Sequence, residues 1–322
     1  MKMGGPASFH GPFPRFSERT MKEMKKYLLL FLLLLIPVSV FAEDREIVWV
    51  SYLGPEGTYT EEAARFWFRD ETVFVPRETV NDAIADVMAG SADHAVIPQE
   101  NTLGGAVAGY VDALIRAENV YVTGEVVLPI SQTLMGVPGT KLEEIRTVCS
   151  HAQGLTQIAQ WRAENLPGAG AQEMASTAAA AAYVAEKQDK SIAAVAAPGA
   201  AALYGLEILA ENVQISDANK TRFYVLSGDP LHDETLTRAV FVADAEGSRL
   251  GDLMTALQDA DLNVISLHDR PEGSSLGRYY YVIETEDETG ISDDQIRALE
   301  EFEGLRFAGR FSAVEKTTVP AF

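Results

Sequence analysis

A single cysteine, Cys149, occurs in the 322 residues, so no internal disulfide framework and no Cys-rich zinc or iron–sulfur site can be built from this chain. Basic residues are scarce as well: 26 Lys and Arg stand against 47 Asp and Glu, a formal charge of -21 at pH 7. A field of that sign repels phosphates. It disfavours nucleic acid and anionic membrane surfaces as partners, and any anionic ligand would need locally focused donors. No apolar run reaches the roughly 20 residues of a membrane span. Glycine and proline are scattered, and neither repeats nor low-complexity tracts occur, which excludes collagen-like and disordered chains. What is present is globular: 47% hydrophobic and 23% charged residues, at a length that suits two or three folding units.

The N-terminal stretch reads as a targeting segment. Residues 21–26 (Met-Lys-Glu-Met-Lys-Lys) are basic, residues 28–40 form a thirteen-residue apolar run, and Val40-Phe-Ala42 places small residues where a signal peptidase reads. The layout predicts cleavage after Ala42 and a periplasmic or secreted product. Cleavage would remove six basic residues (Lys2, Arg15, Arg19, Lys22, Lys25, Lys26) and two acidic ones (Glu18, Glu23), leaving 20 against 45 and a charge of -25. An uncleaved membrane anchor and a buried helix are the competing readings. Met21 and Met24 are better placed starts than Met1 for such a leader.

From Ile47 onward, short apolar runs alternate with amphipathic stretches. Strands are predicted at 47–53, 73–76, 95–98, 121–138, 147–150, 192–196 and 223–226, and helices at 60–68, 81–89, 105–116, 153–164, 177–186 and 198–206. Such βαβ rhythm predicts an open, mostly parallel α/β sheet. A polar, Pro-containing link at 228–234 marks a boundary. Beyond it the order strand 238–243, helix 250–260, strand 264–268, strand 278–284, helix 293–302, strand 305–311 fits a ferredoxin-like βαββαβ unit.

Four clusters in the first unit carry chemistry. Gly54-Pro-Glu-Gly-Thr-Tyr-Thr60 lies between a strand and a helix, where backbone N–H groups and hydroxyls can meet a carboxylate; taken alone, a turn with a Thr60 helix cap and Glu62 in the first helical turn explains such a string better. Asp93 to Gly105 again puts polar groups and glycines after a strand, with Glu100 and Asn101 readable as ordinary loop polars. Ser150-His-Ala-Gln-Gly-Leu-Thr-Gln157 sets Gln153 and Gln157 four apart on one helix face. The adjacent Ser150 and His151 do not make a triad, because neighbours in extended or capping backbone point apart. Asn219-Lys-Thr-Arg-Phe223 is a polar turn feeding a strand; its cation and hydroxyl could meet an anion, or it is a solvated turn.

Together and in this order, Gly-Pro-Glu-Gly-Thr-Tyr at 54, Ile-Pro-Gln-Glu-Asn-Thr at 97, Ser-His-Ala-Gln-Gly-Leu-Thr-Gln at 150 and Asn-Lys-Thr-Arg-Phe at 219 resemble prephenate dehydratase over residues 47–227. The following unit resembles the ACT domain such enzymes carry. The resemblance implies three segments: a leader at 1–42, a catalytic region at 43–230 and an ACT domain at 231–322. It implies α/β architecture in which the catalytic region is two-lobed, like a periplasmic binding protein, with prephenate between the lobes. The stretch before Ile47 is expected to be too short for the chorismate mutase domain fused to some relatives. Family roles fall on Thr221, Asn101, Ser150 and Gln157 as catalytic residues and on Glu56, Thr58, Thr102, Arg222 and Phe223 as substrate-binding ones. Thr102 stands where Ser is frequent, and Ala152-Gln153-Gly154 where Pro-Gln-Ala is usual.

The implied reaction loses carbon dioxide and water from prephenate to give phenylpyruvate, driven by aromatisation, and needs neither metal nor organic cofactor. Positioning the dianion, polarising the departing hydroxyl and moving the ring carboxylate out of water would suffice. Thr221 suits the leaving oxygen but is too weak an acid to be its sole proton source; His151 and Glu100 are candidate helpers, and Arg222 could take a carboxylate bidentately. Alternatives are an arogenate dehydratase and a non-catalytic periplasmic binding protein. A homodimer or homotetramer is expected, with an aromatic amino acid as a possible effector. At the regulatory site, Gly251-Asp252-Leu253 replaces the family's Gly-Ala-Leu, and His268-Asp269-Arg270-Pro271 replaces Glu-Ser-Arg-Pro. Those three changed side chains predict weak phenylalanine control or none.

Overall fold

The computed structural model describes residues 47–316 apart from Asp70 and Asp217; the leader expected at 1–42 lies outside the described residues. The described residues group as one compact unit.

The first lobe contains β1 (Val48–Leu53), α1 (Tyr59–Trp67), β2 (Thr72–Arg77), α2 (Val80–Met88), β3 (His94–Asn101), the two-residue β4 (Gly105–Ala106), α3 (Ala108–Arg116) and β5 (Tyr121–Pro129). The chain then crosses to a second lobe of β6 (Thr133–Gly136), β7 (Thr147–Ser150), α4 (Ala152–Gln157), α5 (Ala159–Asn165), β8 (Gly170–Glu173), α6 (Thr177–Lys187), β9 (Ile192–Ala196), α7 (Gly199–Tyr204) and β10 (Glu207–Ala210), and returns as β11 (Lys220–Ser227). The first sheet runs β16-β5-β11-β3-β1-β2 with β4 on β3, where β16 (Ala313–Glu315) comes from the far end of the described chain, and the second β10-β6-β9-β7-β8. The two crossing segments run side by side: Ile130 N–H donates to Asn219 O at 2.8 Å and Val213 N–H to Gln132 O at 2.9 Å. This is the two-lobed architecture expected from the sequence.

Three local expectations need correction. The sheets are mixed rather than mostly parallel: β1 lies parallel to β2 and β3, but β11 is antiparallel to both β3 and β5. The cause is that β11 enters the sheet from the other lobe instead of through a helical crossover. The apolar run 121–138 is two strands in different sheets, because residues 130–132 carry the chain between lobes. The helix expected at 153–164 breaks at Ile158, whose φ of -102° and ψ of 3° end α4 and start α5. Strands β8, β10 and β16 were not legible, since none shows alternating burial.

The third unit contains β12 (Arg238–Glu246), α8 (Leu250–Asp259), β13 (Asn263–Pro271), β14 (Arg278–Glu286), α9 (Asp293–Glu300) and β15 (Leu305–Phe311), followed by β16 (Ala313–Glu315). Its antiparallel sheet, ordered β13-β14-β12-β15, has the predicted βαββαβ form. Alternation along β12 divides its two faces. Ala239, Phe241 and Ala243 join the core under α8 and α9, whereas Val240 and Val242 join Val282, Ala308 and Phe311 in a core shared with Tyr110, Leu114 and Tyr224 of the first lobe. The two units are therefore fused through one hydrophobic core rather than tethered. Gly309 makes the close approach possible: its φ is +130°, and a Cβ there would run into the backbone of Val122 on β5. After it, β16 adds parallel to β5 and closes the edge of the first-lobe sheet.

Candidate active site

Asn101 ends β3 at the junction of the lobes and is buried. Its Oδ1 accepts from the backbone N–H groups of Leu103 and Gly104, both at 3.0 Å. Those donors fix the orientation of the amide, since only oxygen can face two N–H groups. Nδ2 therefore faces β11, donating to Asn219 Oδ1 at 2.8 Å, Thr221 Oγ1 at 2.9 Å and Lys220 O at 3.2 Å. From the second lobe, Gln153 Nε2 on α4 donates to Asn101 Oδ1 at 2.9 Å. One turn later, Gln157 Oε1 accepts from Gln132 Nε2 at 2.8 Å. One amide thus ties together a strand end, the returning strand and the facing lobe.

Thr221 is half-buried and directly opposite Asn101 in the β11–β3 ladder. Its oxygen accepts from Asn101 Nδ2, and among the described residues nothing accepts its proton. Nearby, Asn219 Nδ2 and Gln132 Oε1 are buried without a partner. Buried orphan groups of this kind are costly unless something supplies the missing bonds, so the lobe junction has unused donor and acceptor capacity suited to a small polar ligand. No group of metal-ligating side chains occurs among the described residues.

The other sequence-predicted residues take varied positions. Thr58 caps α1, accepting from Glu61 N–H at 3.4 Å; the cap is Thr58, two residues before the expected Thr60, which lies inside the helix. Glu61 Oε2 accepts from Gly57 N–H at 2.6 Å, so the chain's own carboxylate occupies that helix start. Glu56 is exposed, and its carbonyl accepts from Tyr204 OH of the second lobe at 2.9 Å, a further lobe–lobe contact. Thr102 Oγ1 donates to Ala218 O at 2.9 Å and accepts from Lys220 N–H at 3.0 Å, pinning the turn before Thr221. Ser150 is fully buried and donates to Val195 O at 2.7 Å, and a Cβ on Gly154 would collide with its hydroxyl. It sits beneath α4, packed against Gly154. His151 is the α4 cap, its Nδ1 accepting from Gln153 N–H at 3.4 Å.

Arg222 points to the opposite face of β11 from Thr221, and Phe223 lies on the same face as Thr221 but deeper in the core. Phe223 packs in the core of β1, β3, β5 and α1. The Arg222 guanidinium is already ion-paired to Glu125, Glu284 and Glu100, which leaves it no free fork for a substrate carboxylate and ties one oxygen of Glu100 to a cation at 3.3 Å. Burial pushes the Glu125 carboxyl up from its ordinary range, against the opposing pull of Arg222. The five residues grouped as regulatory do not share one face. Gly251 and Asp252 begin α8, and Asp269 is exposed. His268 stacks edge-on against Tyr110 at 5.8 Å and Arg270 Nε donates to Asp112 at 2.9 Å, both facing α3 of the first lobe. A cavity of about 570 Å³ lies near His232, Arg297 and Arg306 and shares no residue with the Asn101–Thr221 cluster.

Gln153, Asn219 and Gln132 complete the cluster. Gln153 and Asn219 lie inside strings the sequence singled out, whereas Gln132, in a bare Ser-Gln-Thr between two strands, gives no signal.

Fold and cluster together define a two-lobed α/β enzyme with an amide- and hydroxyl-lined cleft and a fused C-terminal βαββαβ domain. The family model for prephenate dehydratase matches residues 50–230. The prephenate dehydratase of Amycolatopsis methanolica is 34% identical over 275 residues, 83% of this chain and 89% of that one. A crystal structure of prephenate dehydratase from Arthrobacter aurescens in complex with L-Phe superposes with a TM-score of 0.74 at 28% identity, covering 82% of this chain and 90% of the other. A protein described as a novel type of quorum quenching acylase, GqqA, superposes with a TM-score of 0.71 at 28% identity over 83% of this chain and 98% of its own. The chain belongs to the prephenate dehydratase family, a family of lyases.

Proposed function

We propose that this chain converts prephenate to phenylpyruvate, carbon dioxide and water in phenylalanine biosynthesis, with Thr221 as the group that meets the departing hydroxyl. The observation that carries the reading is the state of the Thr221 hydroxyl: Asn101 Nδ2 donates to its oxygen, while its own proton is uncommitted among the described residues. An Oγ fixed in this way donates along one direction, and a hydrogen bond to the leaving oxygen strengthens as that oxygen gains charge. The amides of Asn101, Gln153, Gln157 and Gln132 draw the lobes together around the ligand and exclude water from the ring carboxylate. Proton supply comes from solvent rather than from Glu100, whose Oε2 is paired with Arg222, or His151, whose Nδ1 caps α4.

The acylase resemblance makes a second chemistry worth weighing. Acyl hydrolysis by serine needs a base beside the hydroxyl; here Ser150 gives its proton to a main-chain carbonyl, and the His151 Nδ1 caps a helix. That arrangement favours the lyase reading. The test is to offer the purified chain prephenate and arogenate in parallel at neutral pH. Phenylpyruvate formed well above the spontaneous rate, with higher kcat/KM for prephenate, is expected. Phenylalanine from arogenate alone would move the assignment to arogenate dehydratase, and no product from either would overturn it in favour of a binding protein.

Two further readings belong to the same proposal. The C-terminal unit is an ACT domain with little response to phenylalanine, since His268 and Arg270 are engaged by α3 and Asp252 adds negative charge at α8. Phenylalanine at millimolar concentration is expected to leave the initial rate within about twofold, by the modest size of couplings once ligand contacts are lost; strong inhibition with matching calorimetric binding would refute this. The chain is exported, and N-terminal sequencing of the mature protein should begin at Glu43; a full-length cytosolic product would contradict export.

A further inference from the structure

Thr221 lies between two cations in sequence, and each is held by a carboxylate from the C-terminal part of the chain. Lys220 Nζ pairs with Glu315 of β16. Arg222 pairs with Glu284 of β14, with Glu125 of β5, and with Glu100 on β3 at 3.3 Å. Glu284 and Glu125 are almost wholly buried, with side chains 1% exposed. Glu284 also accepts from Tyr224 OH at 3.1 Å, and Arg238 Nη1 bridges Glu125 at 3.0 Å and Glu284 at 3.5 Å. A charge in such a place cannot move without stranding its partners in a medium of low dielectric. The network therefore fixes the Arg222 backbone more firmly than an exposed pair would.

The place it fixes is where one of the two ladders of β11 is interrupted. The β11–β3 ladder is in register at Thr221 and Arg222 and shifts between Arg222 and Phe223. A register shift lets the strand twist locally, and one residue before it stands the hydroxyl whose direction the reaction depends on. The guanidinium, anchored across the domain boundary, adds a tie at the residue where that ladder is interrupted. We propose that Glu284, a residue of the C-terminal domain, is a positioning residue for Thr221, acting through Arg222, with Glu315 and Lys220 as a weaker second clamp. The C-terminal domain is then part of the machinery that aims the Thr221 hydroxyl, independently of any effector it binds. This rests on the role given to Thr221 above.

The test uses the full chain and Glu284→Gln, which keeps the shape and removes the charge. Its kcat for prephenate is expected to fall about tenfold with KM within about twofold, the size of effect that a small misplacement of a reacting group produces. In a Thr221→Ala background the same change should cost nothing further, because the group it aims is gone. Glu62→Gln breaks a different tie between the C-terminal segment and the first lobe, Lys316 to Glu62 at 3.0 Å, and should leave kcat unchanged. Should Glu284→Gln fail to fold, Glu284→Asp retains the charge with altered reach and is read the same way. An unchanged kcat in a folded Glu284 variant, or an undiminished loss in the Thr221→Ala background, would overturn the proposal. Hydrogen exchange on residues 219–223 provides a reading that does not depend on activity. About tenfold faster exchange there in Glu284→Gln, and none in Glu62→Gln, is expected even if the wild type yields no phenylpyruvate, an outcome that defeats the functional reading alone. Equal exchange in both variants would defeat the inference alone.

Discussion

Thr221→Ala is expected to lower kcat for prephenate by roughly 10²–10³, with KM changed less than about threefold, in line with the loss of one preorganised donor to a developing oxyanion. The reasoning is differential. In the ground state the substrate's hydroxyl is neutral, and water can replace the Thr221 hydrogen bond at little cost. As the carbon–oxygen bond lengthens the oxygen becomes a strong acceptor, and a donor held at a fixed angle in a dry cleft gains strength. The side chain is half-buried and its loss removes one accepted hydrogen bond, from Asn101, so the fold should persist. Steady-state kinetics with circular dichroism of the variant checks both parts; near-normal turnover would exclude the role.

Asn101→Ala should have a broader effect. Its amide caps the Leu103 and Gly104 N–H groups, carries Gln153 across the lobe junction and orients Thr221. Removing it takes away Thr221's partner and one closing contact together, so kcat should fall by at least about 10² and KM should rise about tenfold, unlike the pattern for Thr221→Ala. Thermal stability should drop by about 1–3 kcal/mol, the usual cost of buried polar groups left unpaired. A variant with the kcat of Thr221→Ala and an unchanged KM would show that Asn101 has no part in closing the lobes.

The contrast between these two residues shows what could be read from the sequence. Strands such as 192–196 and 305–311 were legible to the residue, because apolar runs bounded by turns leave little freedom. The motif strings located Asn101, Thr221 and the α4 segment. What could not be read was the direction in which each side chain points. Arg222 looks like a substrate-facing cation in a chain of charge -21, yet it adjoins Thr221 on a strand whose next side chains enter two different cores, and its partner Glu284 is 62 residues away. Ser150, which the resemblance lists among the catalytic residues, lies under a helix whose Gly154 fits against it. Long-range pairing and burial decided both cases, and neither is carried by local spacing. Edge strands β8 and β16 were missed for a related reason: exposed along their whole length, they have no alternating pattern to announce them, and β10 is four residues without alternation.

The most direct measurement is single-turnover kinetics of prephenate with Thr221→Ser set against Thr221→Val. Serine keeps the hydroxyl beside Asn101, and valine keeps the branched shape without it. The account predicts that Thr221→Ser stays within about tenfold of the wild-type rate while Thr221→Val is as slow as Thr221→Ala, by roughly 10²–10³. A valine variant as fast as the serine variant would contradict it.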